Sequence, residues 1–593
     1  FCFNAGECKN DRGGYFIIDG KEKAIVCQEQ FANNMINYNN KGNEIYSHYA
    51  DVRSVSEDAS KPVRNLSVRI VRPDTTYTNK QVVINVPNVR KPVPLFILMR
   101  ALGVISDKAI IETCLLDLNE NADYVDLFIP SIHDANRFFT QKAAIEYIAT
   151  LTKGKTTSHV LEILMDYFLP HIGVDHFKEK ALFIGHMVFS LLKVFKKDKK
   201  AIDRDNFKFK RVESSGSLMY NLFNEYYKMQ IDNFAQRIDK EYTYKQNIYE
   251  NDFESLITNN YNEFLKDRIV ESGFRKGFKG NWGVRDVQKT LTVDNMSESI
   301  NRDAFSFNKE GIVQDLLRIS YLSTISHLRR IQTPLDSNIK IAGPRRLNAT
   351  QYGYICPVDT PDGGNSGIIK NLSIGAIISY QDNNIYNLFI QLFTNLSGFI
   401  SYIKDYNIIP NIYLNYSKIF IDGILIGIYI NQNILDIVSY LKLAKNNYIF
   451  NNNQFSICFN YEYKELYIYT DFGRCLRPLY ILDYIDNKYF IQRTVFPQDT
   501  DWNTLSYGSL DTSTRNEYLQ IYLSDLNKIT PAIIQNLKKN QASIEFIDPN
   551  ETLTTLIAPN IDLYERISKL SSMWFLVSGE SGFNELRGTV LLY

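Results

Sequence analysis

Five basic side chains lie within about eighteen residues, on the two sides of the loop 335–343: Arg329, Arg330, Lys340, Arg345 and Arg346. Guanidinium groups form paired hydrogen bonds with phosphate oxygens, and a lysine adds a point charge beside them. Few acidic residues interrupt the segment, so it predicts a local positive surface that contacts nucleic acid. The alternatives are a salt-bridged surface loop and, for the first two arginines, cations that cap the C-terminus of a helix.

A stiff turn follows this loop. The segment 356–364, CPVDTPDGG, combines two prolines, which fix φ, with two glycines, which permit unusual backbone angles. Such a turn could hold the carboxylates of Asp359 and Asp362 beside the positive surface. For Asp362, the alternative is a hydrogen bond that only stabilises the turn.

Three other short matches favour ordinary structure over chemistry. GKT at 154–156 resembles the end of a phosphate-binding loop, but Ala149 stands where that loop needs glycine, so a helix terminus is favoured. DFG at 471–473 resembles a kinase triplet without the other kinase motifs, so a strand followed by a turn is favoured. The acidic residues between 117 and 126 lack the central glycine of a calcium loop and indicate a solvated face.

Bulk composition limits the class of protein. The chain has 593 residues, 45% of them apolar and 22% charged, which suits about four globular domains and excludes a collagen or a wholly disordered chain. Lys+Arg and Asp+Glu number 66 each, so any contact with nucleic acid must be local. The seven cysteines are dispersed without a CxxC pair, which indicates a reducing compartment and disfavours both a disulfide framework and a zinc ribbon. No apolar run approaches the length of a membrane span.

The periodicity of apolar residues predicts a multidomain α+β architecture. A hairpin is expected over 13–27 with its turn at Asp19-Gly20, and strands are expected between 63 and 87. A Gly-rich stretch occupies 272–283. Helical patterns occupy the following ranges: 107–118, 134–151, 158–169, 177–196, 214–268 and 311–329. Short strands are predicted at 418–430, 455–470 and 478–484.

Residues 318–373 resemble the fork region of the second-largest, β-like subunit of multisubunit DNA-directed RNA polymerases. The family pattern joins SHLRR and TP before the loop to PR, CP-x-ETPEG and K-NL after it. Leu328 replaces the lysine usual in bacteria, which favours the eukaryotic, archaeal and large-DNA-virus branch. The chain shares these positions with the pattern: Ser326 to Arg330, Thr333, Pro334, Pro344, Arg345, Leu347, Thr350, Gly353, Cys356, Pro357, Thr360, Pro361, Gly363, Gly367, Lys370, Asn371 and Leu372.

The similarity continues over nearly the whole chain, to about residue 558. GGYFIIDGKEKAIVCQEQ resembles a hairpin of the protrusion, VPLFILMRALGVISD the start of the helical part of the lobe, and DRDNFKFKRVESSG the return to the protrusion. IFIDGILIG and TDFGRCLRPLYIL resemble the external domains. The resemblance implies these domains: protrusion 1–48 and 199–262, lobe 49–198, fork 263–378, external 1 379–455, and external 2 456–593 with an unassigned tail from 559.

The resemblance also implies an activity. The family polymerises ribonucleotides on a DNA template, with in-line attack by the RNA 3′-hydroxyl assisted by two Mg²⁺ ions. Those ions are expected mainly on the largest, β′-like partner subunit, so no catalytic residue or metal ligand is expected here. The β-like subunit forms one wall of the active-centre cleft, and its fork contacts template DNA, the RNA–DNA hybrid and the edge of the bubble. Expected partners are the largest subunit, other polymerase subunits, DNA, RNA and nucleoside triphosphates, without a membrane. The expected location is the nucleus of a cell, or the cytoplasmic factory or virion of a virus.

Site residues follow from the same resemblance. The five cations between 329 and 346 are expected at phosphate or near the nucleotide, with the loop at the downstream edge of the bubble. A second basic group is expected near the hybrid: Arg275, Lys276 and Lys279. Three residues are expected to support the fork from within: His327, Asp359 and Asp362.

The chain departs from the family pattern at several positions. Asp359 and Asp362 replace glutamates and shorten the reach by one methylene, Gly364 replaces a common glutamine, and Asn206 replaces a histidine. The family's hybrid-binding lysines and C-terminal zinc site have no counterpart in these 593 residues, so we expect an internal or split-gene fragment that is inactive by itself. The alternatives are a degenerate, non-catalytic assembly module and, from GKT at 154–156, a phosphotransferase.

Overall fold

The chain passes three times between two structural units. In the computed structural model, unit 1 is built from residues 1–30 and 210–378, and unit 2 from residues 31–209 and 379–593. The structure describes these residues: 4, 6–40, 45–56, 61, 63–73, 80–116, 118, 121–244, 253–264, 268–283, 311–380, 382–401, 416–430, 434–461, 463–485, 488–491, 501–526, 529–555, 557–558 and 590–592.

Strands occur in both units. In chain order they are β1 Phe16–Ile18, β2 Lys21–Ile25, β3 Cys27–Phe31, β4 Ile36–Asn39, β5 Tyr46–Ser54, β6 Arg64–Val71, β7 Val82–Asn85, β8 Val93–Pro94, β9 Lys210–Glu213, β10 Val313–Asp315, β11 Arg330–Gln332, β12 Ile369–Asn371, β13 Ile377–Ile378, β14 Phe399–Ser401, β15 Ser417–Ile421, β16 Ile424–Tyr429, β17 Ser456–Asn460, β18 Glu465–Tyr469, β19 Cys475–Ile485, β20 Lys488–Ile491, β21 Ile544–Ile547, β22 Ile557–Ala558 and β23 Val590–Leu592.

Helices separate the groups of strands. In chain order they are α1 Leu95–Ala101, α2 Asp107–Leu115, α3 Ile129–Asp134, α4 Gln141–Leu151, α5 Thr157–Glu162, α6 Phe177–Lys196, α7 Ser215–Tyr244, α8 Phe253–Phe264, α9 Ile269–Phe278, α10 Tyr321–Leu328, α11 Asn383–Thr394, α12 Ile434–Asn446, α13 Trp502–Tyr507, α14 Thr512–Ser524, α15 Pro531–Asn540 and α16 Pro549–Thr552.

Two small sheets organise unit 1. In the first, β2 pairs antiparallel with β1 and β10. Asp19 and Gly20 connect β1 to β2 with φ of 49° and 76°, the positive angles that a two-residue type I′ turn requires. The predicted hairpin is therefore confirmed. The second sheet has the order β12-β11-β3-β9, in which β11 runs parallel to β3 and antiparallel to β12.

The helix before the candidate site is shorter than predicted. Ser320 forms a capping box: its Oγ accepts a hydrogen bond from the Ser323 amide at 3.1 Å, and the Ser323 Oγ accepts from the Ser320 amide at 3.0 Å. α10 starts at this cap, and residues 313–315 form β10 instead. The predicted helix over 311–329 is thus wrong in its first half, because the backbone there pairs with β2.

The Gly-rich stretch 272–283 begins inside a helix. Gly273 and Gly277 lie four residues apart, on one face of α9 that packs against α7. A Cβ added at Gly273 would lie 2.4 Å from the Tyr226 ring, and one at Gly277 would lie 3.0 Å from Leu222. These two glycines therefore permit a close helix–helix contact. The core beside it contains Leu218, Phe278 and Trp282 among other buried residues.

Unit 2 contains two larger cores. The strand order β4-β5-β6-β7-β8 forms an antiparallel sheet, and α1 to α6 contribute to the core with it. A second sheet, β14-β16-β15-β18-β17, shares a core with α11, α12, α14 and α15. β19 pairs with β20, β21 and β23. The predicted strand ranges 418–430, 455–470 and 478–484 coincide with β15 to β19 and are confirmed.

Helix ends in unit 2 also refine the predictions. The helix predicted over 134–151 is wrong in its first part, because Thr140 caps the start of α4 at residue 141 by accepting a hydrogen bond from the Ala143 amide. The pattern over 177–196 coincides with α6, which ends at Lys197 in the left-handed region. Within the described residues, we find no helix that is both long and apolar enough to cross a bilayer.

Candidate nucleic-acid interface

Arg329 lies at the C-terminus of α10 and connects it to a later turn. Its Nη2 donates to the carbonyl oxygens of Ser373 at 2.6 Å, Ala376 at 3.2 Å and Ile374 at 3.3 Å. These acceptors follow β12. The predicted position at a helix end is confirmed, and the guanidinium holds the turn after β12 against that end.

Arg330 is half-buried in β11. Burial lowers the pKa of its guanidinium, and the nearby Asp359 carboxylate acts in the opposite direction. The Arg330 Nε is buried and has no hydrogen-bond partner among the described residues. Asp359 also accepts a hydrogen bond from Ser326 Oγ at 3.2 Å. The turn after the loop thus places a carboxylate beside one of the five cations.

Arg345 is the most extensively bonded of the five. Its Nη1 donates to the carbonyl oxygens of Gly364 at 2.5 Å and Ser366 at 3.1 Å. Its Nη2 donates to those of Ser337 at 2.8 Å and Ile339 at 3.1 Å. The four acceptors belong to two separate segments, so the guanidinium joins the loop to the turn that follows Asp362.

The turn itself is closed by side-chain and backbone contacts. Thr360 Oγ1 donates to the Ile369 carbonyl at 2.9 Å and accepts from the Gly367 amide at 2.9 Å. Gly367 has a φ of 73°, and an added Cβ would lie 2.2 Å from the Arg345 carbonyl oxygen. Only glycine permits the turn to approach the backbone of Arg345 this closely.

Two of the five cations extend into solvent. The side chains of Lys340 and Arg346 are exposed. The Arg346 amide donates to the Ala342 carbonyl at 3.1 Å, which fixes its backbone while leaving its side chain outside. Asp362 is also exposed, and at the start of the 3-10 helix Gly363–Asn365 its side chain forms no capping hydrogen bond. The turn-stabilising hydrogen bond considered for Asp362 is therefore not formed as a cap of this 3-10 helix.

His327 is a buried internal connector. It is 2% exposed, and its Nδ1 accepts from the Leu317 amide at 3.2 Å. The proton therefore resides on Nε2, which lies 3.0 Å from Gln314 Oε1 and donates to it. Burial, with a smaller effect of Arg330, lowers the pKa of this ring. A neutral His327 joins α10 to β10.

The second basic group lies on α9. Arg275 is exposed and 3.7 Å from Glu271 on the same helix, and Lys279, just after α9, is 2.8 Å from Asp19 in the β1–β2 turn. The Lys276 side chain is exposed. The structure connects this group to α7 and the hairpin, whereas two of the first five cations, Arg330 and Arg345, lie beside the turn 359–367.

A buried ion cluster in the second sheet was not predicted. Glu29 in β3 lies 2.9 Å from Lys210 in β9 and 2.7 Å from Lys370 in β12, and all three are nearly inaccessible to solvent. Thr333 donates to the same carboxylate at 3.3 Å. Burial alone raises the pKa of Glu29, but the two lysines outweigh it and bring the pKa to about 2. The sequence signal was weak: Glu29 follows the apolar run 24–27 between two glutamines, and nothing in that spacing identifies its lysine partners.

The short motifs set aside earlier occupy ordinary structure. Residues 154–156 form the turn between α4 and α5, and an added Cβ at Gly154 would meet the His159 ring at 3.0 Å. Residues 471–473 follow the end of β18. Part of the acidic run between 117 and 126 lies outside the described residues. Among those the structure does describe, no group of three or more His, Cys, Asp or Glu side chains could hold a metal ion.

Three family descriptions match the chain. "RNA polymerase Rpb2, domain 2" matches residues 63–213, "RNA polymerase Rpb2, domain 3" matches 314–378, and "RNA polymerase Rpb2, domain 4" matches 419–483. The domain 3 match contains the five cations, the loop and the turn.

Curated relatives extend the similarity to most of the chain. The DNA-directed RNA polymerase II subunit RPB2 of Encephalitozoon cuniculi is 32% identical over 82% of this chain and 39% of its own length. The protein of the same name from Schizosaccharomyces pombe is 29% identical over 81% of this chain and 37% of its own length. DNA-directed RNA polymerase subunit 2 of Acanthamoeba polyphaga mimivirus is 26% identical over 84% and 40%, respectively. The chain therefore spans about two fifths of the length of these relatives.

Proposed function

We propose that this chain, a member of the Rpb2 family of second-largest RNA polymerase subunits, forms one wall of the active-centre cleft of a DNA-dependent RNA polymerase. One observation carries the proposal: the segment that matches Rpb2 domain 3 contains all five cations, together with the loop and the turn that Arg345 joins. In this role, residues 263–378, which include that segment, act as the fork that contacts template DNA, the RNA–DNA hybrid and the bubble edge.

The chemistry of RNA synthesis is shared with partners. The proposed partners are the largest, β′-like subunit and other polymerase subunits, with DNA, RNA and nucleoside triphosphates as ligands. Mg²⁺ is assigned mainly to the largest subunit, where two ions assist the attack of the RNA 3′-hydroxyl. This chain contributes cations and a surface rather than metal ligands. The domain names of protrusion, lobe, fork and external 1 and 2, with their predicted boundaries, belong to the same proposal.

The location follows the proposed role. Relatives occur in eukaryotes and in a virus, so the proposed compartment is the nucleus of a cell, or the factory or virion of a virus.

Reconstitution tests the proposal. The full chain, co-expressed with the β′-like subunit of its source and with any separately encoded remainder of the β-like subunit, is expected to co-purify in a complex that incorporates ribonucleotides on a DNA template. Omission of this chain is the control and is expected to abolish incorporation. Incorporation that does not depend on the chain, although the complex forms, would support the alternative of a non-catalytic assembly module.

A further inference from the structure

We infer that four of the five cations of the fork segment divide into two roles: Arg345 and Arg329 are positioning residues, whereas Lys340 and Arg346 contact nucleic-acid phosphate. The inference rests on the proposed function, because it assigns the contact surface within the proposed fork. It differs from the sequence prediction, in which all five side chains contact phosphate or lie near the nucleotide.

The hydrogen bonds of Arg345 support its role as a positioning residue. A guanidinium offers five N–H donors. The two Nη atoms of Arg345 carry four of them, and these atoms face four backbone carbonyls at 2.5 to 3.1 Å. A bidentate phosphate contact needs two N–H groups side by side, and only the Nε–H remains. Phosphate binding by Arg345 would therefore break the contacts that hold the loop.

Those contacts span two chain segments. Ser337 and Ile339 belong to the loop, whereas Gly364 and Ser366 belong to the turn. The planar guanidinium of an arginine has four outward Nη–H donors and reaches the loop and the turn at the same time. The single ammonium of a lysine does not reach both. Arg329 performs the equivalent task beyond β12, where it meets three carbonyls between Ser373 and Ala376.

The exposure of Lys340 and Arg346 supports their role in contacting phosphate. Lys340 directly follows Ile339, whose carbonyl Arg345 holds, and Arg346 directly follows Arg345 itself. Both side chains are exposed. The one acid within the loop, Asp336, accepts hydrogen bonds from the Asn338 amide at 3.0 Å and from its side chain at 3.1 Å. The scaffold thus sets where the two cations emerge, and their charge is available to phosphate.

The test compares four variants of the full chain with the unmodified chain: Arg345→Lys, Arg346→Lys, Arg346→Ala and Lys340→Ala. Binding to a forked DNA duplex is measured by fluorescence anisotropy over a salt series. Hydrogen exchange is followed at the amides of Ile339, Arg346 and Gly367. Exchange in unit 2 reports whether each variant is folded.

The two roles give different signatures. Arg346→Ala and Lys340→Ala are each expected to reduce the slope of log K against log salt by about 0.9, with unchanged exchange. Arg346→Lys keeps the charge and is expected to keep the slope. Arg345→Lys also keeps the charge, yet exchange at the three amides is expected to rise at least about tenfold, with weaker binding.

Several outcomes overturn the inference. Unchanged exchange in Arg345→Lys removes the positioning role. Unchanged slopes in Arg346→Ala and Lys340→Ala, while the unmodified chain binds, remove the contact role. If the unmodified chain does not bind forked DNA, the proposed fork function and the contact role fail together, while the exchange result still decides the role of Arg345.

Discussion

At the scale of single residues, Glu29 is a buried charge that joins three strands of unit 1. It is buried between Lys210 and Lys370, and its removal would leave two buried ammonium groups near each other without a counter-charge. Breaking a buried ion pair by removing one partner typically costs about 3–5 kcal/mol. Glu29→Gln is therefore expected to lower the free energy of unfolding of unit 1 by an amount of this order, as measured by chemical denaturation.

A matched control is available on the surface of the same unit. Asp315 pairs with Lys23, but its side chain is 62% exposed. Surface pairs contribute roughly 0–1 kcal/mol, so Asp315→Asn is expected to change stability little. Equal losses in Glu29→Gln and Asp315→Asn would contradict the assigned importance of the buried cluster.

The same cluster predicts a dependence on pH. The pKa of Glu29 falls from its usual 4.5 to about 2 in the folded chain, so its contribution is present above pH 4.5 and is lost as pH falls toward 2. The shift corresponds to a contribution of about 3 kcal/mol. Denaturation of unit 1 between pH 5 and 2.5 is expected to show this loss, and Glu29→Gln is expected to reduce it. An identical pH profile in the variant would contradict the prediction.

At the scale of elements, the contact between α7 and α9 depends on small residues. An added Cβ at Gly273 would lie 2.4 Å from the Tyr226 ring, so Gly273→Ala is expected to destabilise unit 1 by about 1–3 kcal/mol. Gly216 lies in α7 with no atom within 4 Å of an added Cβ. Gly216→Ala is the control and is expected to be neutral, or stabilising by up to about 1 kcal/mol, because alanine favours helix. Thermal denaturation distinguishes the two, and similar effects of both would contradict the close contact.

Elements defined by local chemistry were predictable from sequence. Asp19-Gly20 specifies its hairpin turn, and the 3.6-residue pattern identified α6 from end to end. The helical prediction over 311–329 failed at β10, because a three-residue strand is defined by its partner β2 rather than by its own pattern. The Gly-rich stretch concealed a helix, because Gly273 and Gly277 are placed by the packing of α7.

The candidate site was also only partly predictable from sequence. The cluster of cations, the helix end at Arg329 and the turn that holds Asp359 were predictable from residue types and spacing. The different roles of the cations were not predictable from sequence, because the guanidinium of Arg345 donates to backbone carbonyls. Any residue supplies a backbone carbonyl, so the sequence does not identify these partners. The partners of Glu29 were hidden for a related reason, since strands far apart in sequence bring them together.

At the scale of the whole molecule, balanced charge limits how the proposed interface can bind nucleic acid. Lys+Arg and Asp+Glu are equal at 66, so no long-range excess of positive charge contributes to binding. Two phosphate contacts, at Lys340 and Arg346, correspond to a slope of log K against log salt of about −2. Arg275 and Lys276 would each add about one unit if they also contact phosphate. A slope that stays near zero would contradict a local positive surface, and the matched control is the Lys340→Ala, Arg346→Ala double variant.

The ion cluster of Glu29 also has a consequence for biosynthesis. Lys370 follows Glu29 by 341 positions along the chain. At about 5–20 residues per second, the early segment waits roughly 20–70 s for its partner, while residues 31–209 are already available to fold. β3 therefore waits for its neighbours β9 and β11 while the intervening residues are synthesised, and nascent chains stalled between residues 29 and 370 are the ones we expect chaperones to retain.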